Sequence, residues 1–262
     1  MSKKYEFANI THHANPNLRR IRALRDIPGA GVKAGDLGGW VEHEHNLSHD
    51  GDGWVGGDAK VLGSAQVAGD AQALAGAVVT GYTRVADSAV VRGHAWVAGY
   101  AYVSGRAELS GGASVYGSAR VRGNARVYGA AKVCGQAQVG GNSQVYGDAR
   151  VAGEATILDT ARVHGRAFLD GNMFLGDDAN VSDTREVLYA TVVGATTHNA
   201  TLHRTNSGHK LYVGCWEGDI DRFRTIIESD EWVLATPEQI EQHRPEMLAF
   251  ASMCEARIAS WG

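Results

Sequence analysis

Between Gly57 and Ser182 the hydrophobic and polar positions of this chain follow a strict period of six. The 126 residues divide into 21 hexads without insertion or deletion. The fifth position is aliphatic in all 21 hexads, the third is Ala in 18, and the first is Gly in 17. One aliphatic residue between two outward-facing neighbours is the pattern of a very short β-strand, and Gly at the start of each hexad is typical of a tight turn.

This period predicts a solenoid in which every coil has three strands and three corners. The aliphatic residue points inward, Gly or Asp takes the corner conformation, and Ala fits where a larger side chain would collide with the next wall. Three hexads close one coil, and coils stack about 4.8 Å apart. We therefore expect an all-β solenoid, a left-handed triangular parallel β-helix of about seven to eight coils. A disordered Gly/Ala-rich segment would not keep every aliphatic position in phase.

The flanking segments predict two caps, because a solenoid end exposes core and unpaired strand edges. Before the repeat, residues 4–10 and 19–27 have the pattern of short strands, and Trp40 and Trp54 are expected to cover the first coil. After it, residues 204–210 have the composition of a linker.

A strand, a helix and a last helix beginning near Thr236-Pro237 follow the linker and predict a small C-terminal α+β unit. The predicted domains are an N-terminal cap over 1–50, the β-helix over 51–203, and an α+β cap or oligomerisation unit over 204–262.

The repeated V-x-G-x-A-x text resembles the hexapeptide-repeat superfamily of left-handed β-helices. It is most similar to the phage, prophage and enterobacterial proteins with runs such as VYGDARVYGNARVYG, which are described as polymer-forming proteins or transferases. Residues 31–61 also resemble the entry segment of that subgroup. The resemblance covers residues 18–182 and implies the fold, but it implies little about activity, because one fold hosts many functions.

Composition and charge narrow the function further. The net charge of −4 gives no general attraction to nucleic acid or membranes. The three cysteines show no C-x-x-C spacing, which fits a reducing compartment. No secretion signal and no apolar run of about 18 residues is present. We expect a cytoplasmic protein, in the host cell if phage-encoded, with no cofactor and neither membrane nor nucleic acid as a partner.

The resemblance raises acyltransferase activity as an alternative, because many such β-helices are acyltransferases with a histidine base on a loop that interrupts a coil. Here no hexad is interrupted, so no catalytic residue is predicted. His198 and His203, which follow the repeat, are the weaker candidates for a catalytic base. His43, His45 and His49 have the composition of a metal site. Turn histidines are usually solvated, so no metal is predicted and these three remain the alternative.

Outward residues recur every 18 positions, so each of three faces displays two columns. Face one contains the hexad of Lys60 and every third hexad after it. Faces two and three are built in the same way, starting from the hexads of Gln66 and Gln72. On face one, an apolar stripe predicts a subunit interface. Because similar β-helices are commonly trimers, we expect a homotrimer. The stripe consists of Val78, Trp96 and Ala98.

Face three carries the predicted ligand site, in which flat rings stand beside hydrogen-bond donors. Guanidinium groups and rings together suit a nucleotide or another phosphorylated ligand. The alternative is a solvated strand face without a ligand. The rings are Tyr128, Tyr146 and His164, and the donors are Arg126, Gln144 and Arg162.

We therefore expect a non-catalytic binding protein, phage- or prophage-encoded by resemblance, that presents its faces or inter-subunit grooves to an anionic small molecule or a host protein. Interference with host defence is the use that the resemblance implies. An acyl-CoA-dependent acyltransferase and a structural spacer are the alternatives.

Overall fold

A computed structural model describes residues 3–191, 198–229 and 236–261 of the chain. Within these residues, stacked parallel strands form a β-solenoid of about eight turns. A small C-terminal unit adds a four-stranded antiparallel sheet and two helices. The predicted parallel β-solenoid with a C-terminal α+β unit is confirmed.

Most strands of the solenoid are two residues long, because the corners on either side take the remaining four residues of each hexad. The helices are α1 Ile220–Glu228 and α2 Pro237–Ala259, with 3-10 helices at Pro28–Ala30, Glu44–Asn46 and Thr184–Glu186. In chain order the strands are β1 Tyr5–His12, β2 Asn15–Ala23, β3 Leu37–Val41, β4 Trp54–Val55, β5 Lys60–Val61, β6 Gln66–Val67, β7 Gln72–Ala73, β8 Val78–Val79, β9 Arg84–Val85, β10 Val90–Val91, β11 Trp96–Val97, β12 Tyr102–Val103, β13 Glu108–Leu109, β14 Ser114–Val115, β15 Arg120–Val121, β16 Arg126–Val127, β17 Lys132–Val133, β18 Gln138–Val139, β19 Gln144–Val145, β20 Arg150–Val151, β21 Thr156–Ile157, β22 Arg162–Val163, β23 Phe168–Leu169, β24 Phe174–Leu175, β25 Asn180–Val181, β26 Val187–Thr191, β27 Asn199–Arg204, β28 His209–Val213 and β29 Trp216–Gly218.

The strands of successive coils align into three parallel sheets, one for each predicted face. Face one runs from β3 through every third strand from β5 to β23, and the antiparallel pair β1–β2 extends it. Face two runs from β6 to β24, and face three from β4 to β25. Partners within a sheet are 18 residues apart in the regular coils, as in Val97 and Val115. The inward aliphatic residues therefore stack into one core along the axis, and those of the regular coils are fully buried.

The backbone hydrogen bonds of the solenoid run along its axis in one direction. The N–H of Lys60 donates to the carbonyl oxygen of Ala77 in the following coil at 2.8 Å, and the N–H of Trp96 donates to Ala113 at 2.9 Å. The carbonyl oxygens of the first coil therefore have no preceding coil whose N–H groups could donate to them. The N–H groups of the last coil have no following coil whose carbonyl oxygens could accept their hydrogen bonds. Each end needs the complementary kind of side chain.

Donor side chains serve the carbonyl oxygens at the N-terminal end. The amide of Asn46 donates to Gly63 O at 2.9 Å and Ala65 O at 2.7 Å. The hydroxyl of Tyr5 donates to the carbonyl oxygens of Glu44 and Leu47. Trp54 is buried, as expected for a residue that covers the first coil. Trp40 is only half-buried, and the Trp40 ring contacts Arg20.

Acceptor side chains serve the N–H groups at the C-terminal end. Phe168 N–H donates to Thr184 Oγ1 at 2.8 Å, and Phe174 N–H donates to Thr201 Oγ1 at 3.3 Å. The carboxylate of Glu186 accepts from Ser182 N–H at 2.6 Å. The two ends of the solenoid are thus capped by side chains of opposite hydrogen-bonding character.

The first position of every hexad has a positive φ, which explains the glycines there. The four hexads without Gly keep the same conformation; Ala75 and Asp87, for example, both have φ 59°. At Gly105 an added Cβ would lie 2.8 Å from backbone atoms of Gly123, so at this corner a side chain would require the backbone to shift. Asp87 occupies the equivalent corner one coil before Gly105, and its carboxylate accepts a hydrogen bond from Gly105 N–H at 2.8 Å.

The C-terminal sheet lies against the last coil. The Phe174 ring contacts Tyr212 at 4.8 Å, and Ala179 forms an antiparallel bridge with Thr205. The interpretation of residues 204–210 as a linker is wrong, because they form the end of β27, a turn and the start of β28. The predicted domain limits stay a prediction, and the limit at 203/204 falls within β27. In the described ranges no helix is both long and apolar enough to cross a membrane.

Replacement of the corner alanine by leucine should destabilise the solenoid. Ala119 and Ala131 are fully buried between stacked coils, so Ala119→Leu or Ala131→Leu should lower the free energy of unfolding by about 1–3 kcal/mol through overpacking. The outward substitution Gln138→Lys should change it by less than about 0.5 kcal/mol. Chemical denaturation of the three variants checks this, and equal losses for inward and outward substitutions would contradict the assigned pattern.

Candidate functional site

Face three brings together the three rings that the sequence analysis singled out. Tyr128 and Tyr146 stack with ring centroids 4.9 Å apart and planes parallel, and Tyr146 and His164 stack at 4.9 Å and 6°. The ring separation equals the coil spacing because each ring occupies the same position in its coil. We call these three residues the ring column.

The predicted donors stand beside the rings on the same strands. Arg126, Gln144 and Arg162 pair with one another on β16, β19 and β22 and form the donor column. Both arginines are exposed, and in the described residues neither has a carboxylate within salt-bridge distance. Tyr128 donates its hydroxyl proton to Gln144 Oε1 at 3.0 Å, which leaves the amide N–H groups of Gln144 free to donate.

Serines end the ring column on both sides, and a cavity lies at each serine. Below Tyr128 the column position is Ser110, and above His164 it is Ser182. A serine cannot cover the neighbouring ring, so the outer faces of Tyr128 and His164 are left open. Both ring faces of Tyr146 are covered by its neighbours, so a ligand cannot stack on Tyr146, which the sequence analysis had grouped with the other two as a site residue.

The first of these cavities, the Ser110 cavity, measures about 220 Å³. Its walls include Tyr128, Gln144, Arg126 and an ion pair between Arg92 and Glu108. The Arg92 side chain holds the same column position one coil below Ser110. Tyr128 and Arg92 are thus two coil spacings apart, about 10 Å, which is the separation that one intervening planar ring requires.

The second, the Ser182 cavity, measures about 300 Å³ and is lined by His164, Asn180, Glu186, Arg204 and other residues. Asn180 donates its amide N–H to Asn206, so its Oδ1 accepts from His164 Nε2 at 2.9 Å. This fixes the proton of neutral His164 on Nε2.

A further cavity of about 550 Å³ lies between the last coils and the C-terminal sheet, and we call it the junction cavity. Phe174 and Tyr212 provide aromatic walls, and Asp159, Asp177 and Glu217 provide carboxylates. Asp177 accepts hydrogen bonds from Tyr212 Oη at 2.9 Å and from Lys210 Nζ at 3.0 Å, and these bonds lower the pKa of its carboxyl group. Sequence reasoning missed this cavity because its walls come from segments far apart in the chain.

The alternative catalytic histidines occupy different environments. His198 lines the junction cavity, where its ring packs against Gly214. His203 is fully buried in β27, and its Nδ1–H donates to the carbonyl oxygen of Arg204. Burial lowers the pKa of His203 to about 4, so it is neutral at physiological pH and has no access to a substrate in solution.

The predicted interface stripe is only partly exposed. Trp96 is 41% exposed and pairs with Val78 across adjacent strands, but Ala98 is buried. The corner beside Trp96 instead exposes Tyr82 and Tyr100, which are 65% and 67% exposed and stack at 5.2 Å. We call Tyr82, Trp96 and Tyr100 the aromatic edge. The two tyrosines occupy corners rather than strand faces, so the pattern of outward residues on the faces does not include them.

The three histidines of the alternative metal site do not converge on one point. His43 and His45 stack at 5.1 Å, whereas His49 contacts Glu44 and accepts a hydrogen bond from Lys4 N–H. Across the described ranges, no group of three His, Cys, Asp or Glu side chains is placed to hold a metal ion.

Burial of His203 predicts a loss of stability in acid. Its folded-state pKa of about 4 lies below the ordinary value of 6.5, so the unfolded chain binds a proton in this window that the folded chain does not. The free energy of unfolding should therefore fall as the pH decreases from 6.5 to 4, by at most about 3 kcal/mol.

Urea denaturation at several pH values measures this loss. His203→Phe should make the decline between pH 6.5 and 4 shallower, because the phenyl ring takes up no proton. His94→Gln, at an exposed position, should leave the decline unchanged. An equal decline in the parent and in His203→Phe would show that another group controls the acid response.

Comparisons with known proteins supply no relative from which a function could be transferred. No protein-family model matches the chain, and no curated protein matches it significantly. The function is therefore inferred from the geometry of the sites described above.

Proposed function

We propose that this protein is a non-catalytic binding protein that holds an anionic, ring-containing small molecule, such as a nucleotide, on face three. The observation that carries the proposal is the ring column with two open end faces beside two exposed arginines that have no carboxylate partner within the described residues. A planar base stacks on an open ring face, and a guanidinium group binds phosphate through paired hydrogen bonds.

The distribution of charge supports an anionic ligand. The chain as a whole has a net charge of −4, but residues 75–147 contain seven Lys and Arg and only two Asp and Glu. The negative charges are concentrated towards the two ends of the chain. The middle coils, which contain Arg126, therefore attract anions although the whole protein does not.

The resemblance to phage and prophage repeat proteins extends the proposal to a biological role. A phage-encoded protein of this kind would act in the cytoplasm of the host and sequester a nucleotide or contact a host protein, and so counter host defence. A spacer would need neither the open ring faces nor the unpaired arginines. Acyl transfer has no specific observation in its favour, since His203 is buried and His198 lies away from face three.

Replacement of Arg126, of Arg162 or of the open ring of Tyr128 should weaken nucleotide binding. Arg126→Ala and Arg162→Ala should each cost about 1.5–3 kcal/mol of binding free energy, the usual value of hydrogen bonds to charged groups. Tyr128→Ala should cost about 1–3 kcal/mol through lost stacking. Isothermal titration calorimetry with adenosine monophosphate measures these losses.

Matched controls separate the site from general charge effects. Arg120 is an exposed arginine at the same hexad position on face two, so Arg120→Ala should leave the affinity unchanged. His198→Ala should also leave it unchanged, because His198 lines the junction cavity. All variants must unfold at the temperature of the parent. Undiminished binding by a folded Arg126→Ala/Arg162→Ala double variant would place the ligand elsewhere.

We also propose that the chain forms a homotrimer through the aromatic edge. Exposed large aromatic side chains in one cluster are typical of protein interfaces. A Tyr100→Ser/Trp96→Ser double variant should therefore shift the protein from trimer to monomer. Light scattering at micromolar concentration measures the change, and a parent that is monomeric near 27.8 kDa would contradict the trimer.

A further inference from the structure

The two cavities that end the ring column share one construction. In each, a serine leaves the face of an aromatic ring open, and an arginine–glutamate ion pair lies on the far side. At the Ser110 cavity the ion pair is Arg92–Glu108, with Nε and Oε1 2.7 Å apart. At the Ser182 cavity it is Arg204–Glu186, at 2.9 Å.

The chemistry of these cavities suits the uncharged end of a ligand. The arginine on the far side of each cavity is already paired with a glutamate, so it adds no unbalanced positive charge. Arg126, which also lines the Ser110 cavity, is unpaired within the described part of the chain and lies on the side towards Gln144. The glutamates can accept hydrogen bonds from the exocyclic amine of a base and disfavour a phosphate group. Amide side chains, Gln144 in one cavity and Asn180 in the other, add neutral hydrogen-bonding groups.

The surface between the two cavities has the opposite character. Arg126 and Arg162 are exposed and, among the described residues, have no carboxylate partner. They lie two coil spacings apart, about 10 Å, whereas Ser110 and Ser182 lie four coil spacings apart, about 19 Å. Face three therefore has paired charges on the far side of each cavity and, within the described ranges, unpaired positive charge between the two cavities, at Arg126 and Arg162.

We propose that these elements form one extended site for a ligand that carries a planar heteroaromatic group at each end and a chain of phosphates between them, that is, a dinucleoside polyphosphate. One base stacks on Tyr128 over Ser110, the other stacks on His164 over Ser182, and the phosphates lie along Arg126 and Arg162. This inference rests on the proposed function, and it adds that both ends of the column are used by one ligand.

Such a site should distinguish ligands by their length. Two bases joined by a linker bind together only when the linker spans the distance between the cavities, and the second contact then occurs at a high effective concentration. The structure thus predicts a steep dependence of affinity on the number of phosphates, which a site with a single base cavity would not show.

Calorimetric titration of the full-length protein with diadenosine compounds of two to five phosphates tests this. The longer members should bind with one ligand per chain and at least about tenfold more tightly than the two-phosphate compound or adenosine monophosphate. Affinity that is independent of length, or two dinucleotides per chain, would overturn the extended site while leaving the proposed function intact. If neither adenosine monophosphate nor any dinucleotide bound, both would fail.

A variant that fills one cavity provides the second test. Ser110→Tyr extends the ring column by the residue that the next two coils already carry, so the fold should accept it and the cavity should close. Ser110→Tyr should abolish the increase in affinity with the number of phosphates in the ligand. Adenosine monophosphate should still bind at the Ser182 cavity. Ala152→Tyr introduces the same residue at the same hexad position on face one and should keep the gain.

The reciprocal variant Ser182→Tyr should also abolish the gain and leave monophosphate binding at the Ser110 cavity. Retention of the length dependence in folded Ser110→Tyr protein would overturn the assignment of the Ser110 cavity. Because Ser182 also donates a hydrogen bond to Glu186, a Ser182→Tyr variant that fails to fold would leave Ser110→Tyr as the deciding comparison.

Discussion

The axial ladder of backbone hydrogen bonds is the interaction on which the rest of this structure depends. Each coil donates to the next one, so strands 18 residues apart must lie directly above one another. This fixes the inward aliphatic stack, forces a left-handed corner conformation at the first position of each hexad, and favours a small residue at the third, which is Ala in 18 of 21 hexads. It also makes the two ends chemically different, with Asn46 and Tyr5 serving carbonyl oxygens and Thr184 and Glu186 serving N–H groups.

The ladder also creates the surface that we propose as functional. Equivalent side chains on successive coils are held one coil spacing apart, so identical residue types form columns without any further device. Tyr128, Tyr146 and His164 stack because the backbone places them at this spacing. A column acquires a binding site only where its sequence changes, and the serines at positions 110 and 182 are such changes. In the function that we propose, recognition therefore depends on changes of residue type within a column.

The sequence alone was sufficient for the repeat, the three faces and the stacking of particular outward residues, because a strict period translates directly into position. It was insufficient where segments distant in the chain meet. The junction cavity combines Phe174 with Tyr212, and the turn around Thr205 belongs to a hairpin rather than a linker. The order of the ring column, with Ser110 below Tyr128 and Ser182 above His164, can also be read from the 18-residue spacing, but the ion pairs and cavities beside these serines required coordinates.

Ligand binding on face three can be located most directly by anomalous diffraction from crystals soaked in a bromine-labelled adenine nucleotide. Bromine marks the base itself, so the result does not depend on any substitution. We expect peaks against the ring faces of Tyr128 and His164, above Ser110 and Ser182. A peak in the junction cavity with none on face three would contradict the assignment and move the site to the boundary between the solenoid and its C-terminal cap.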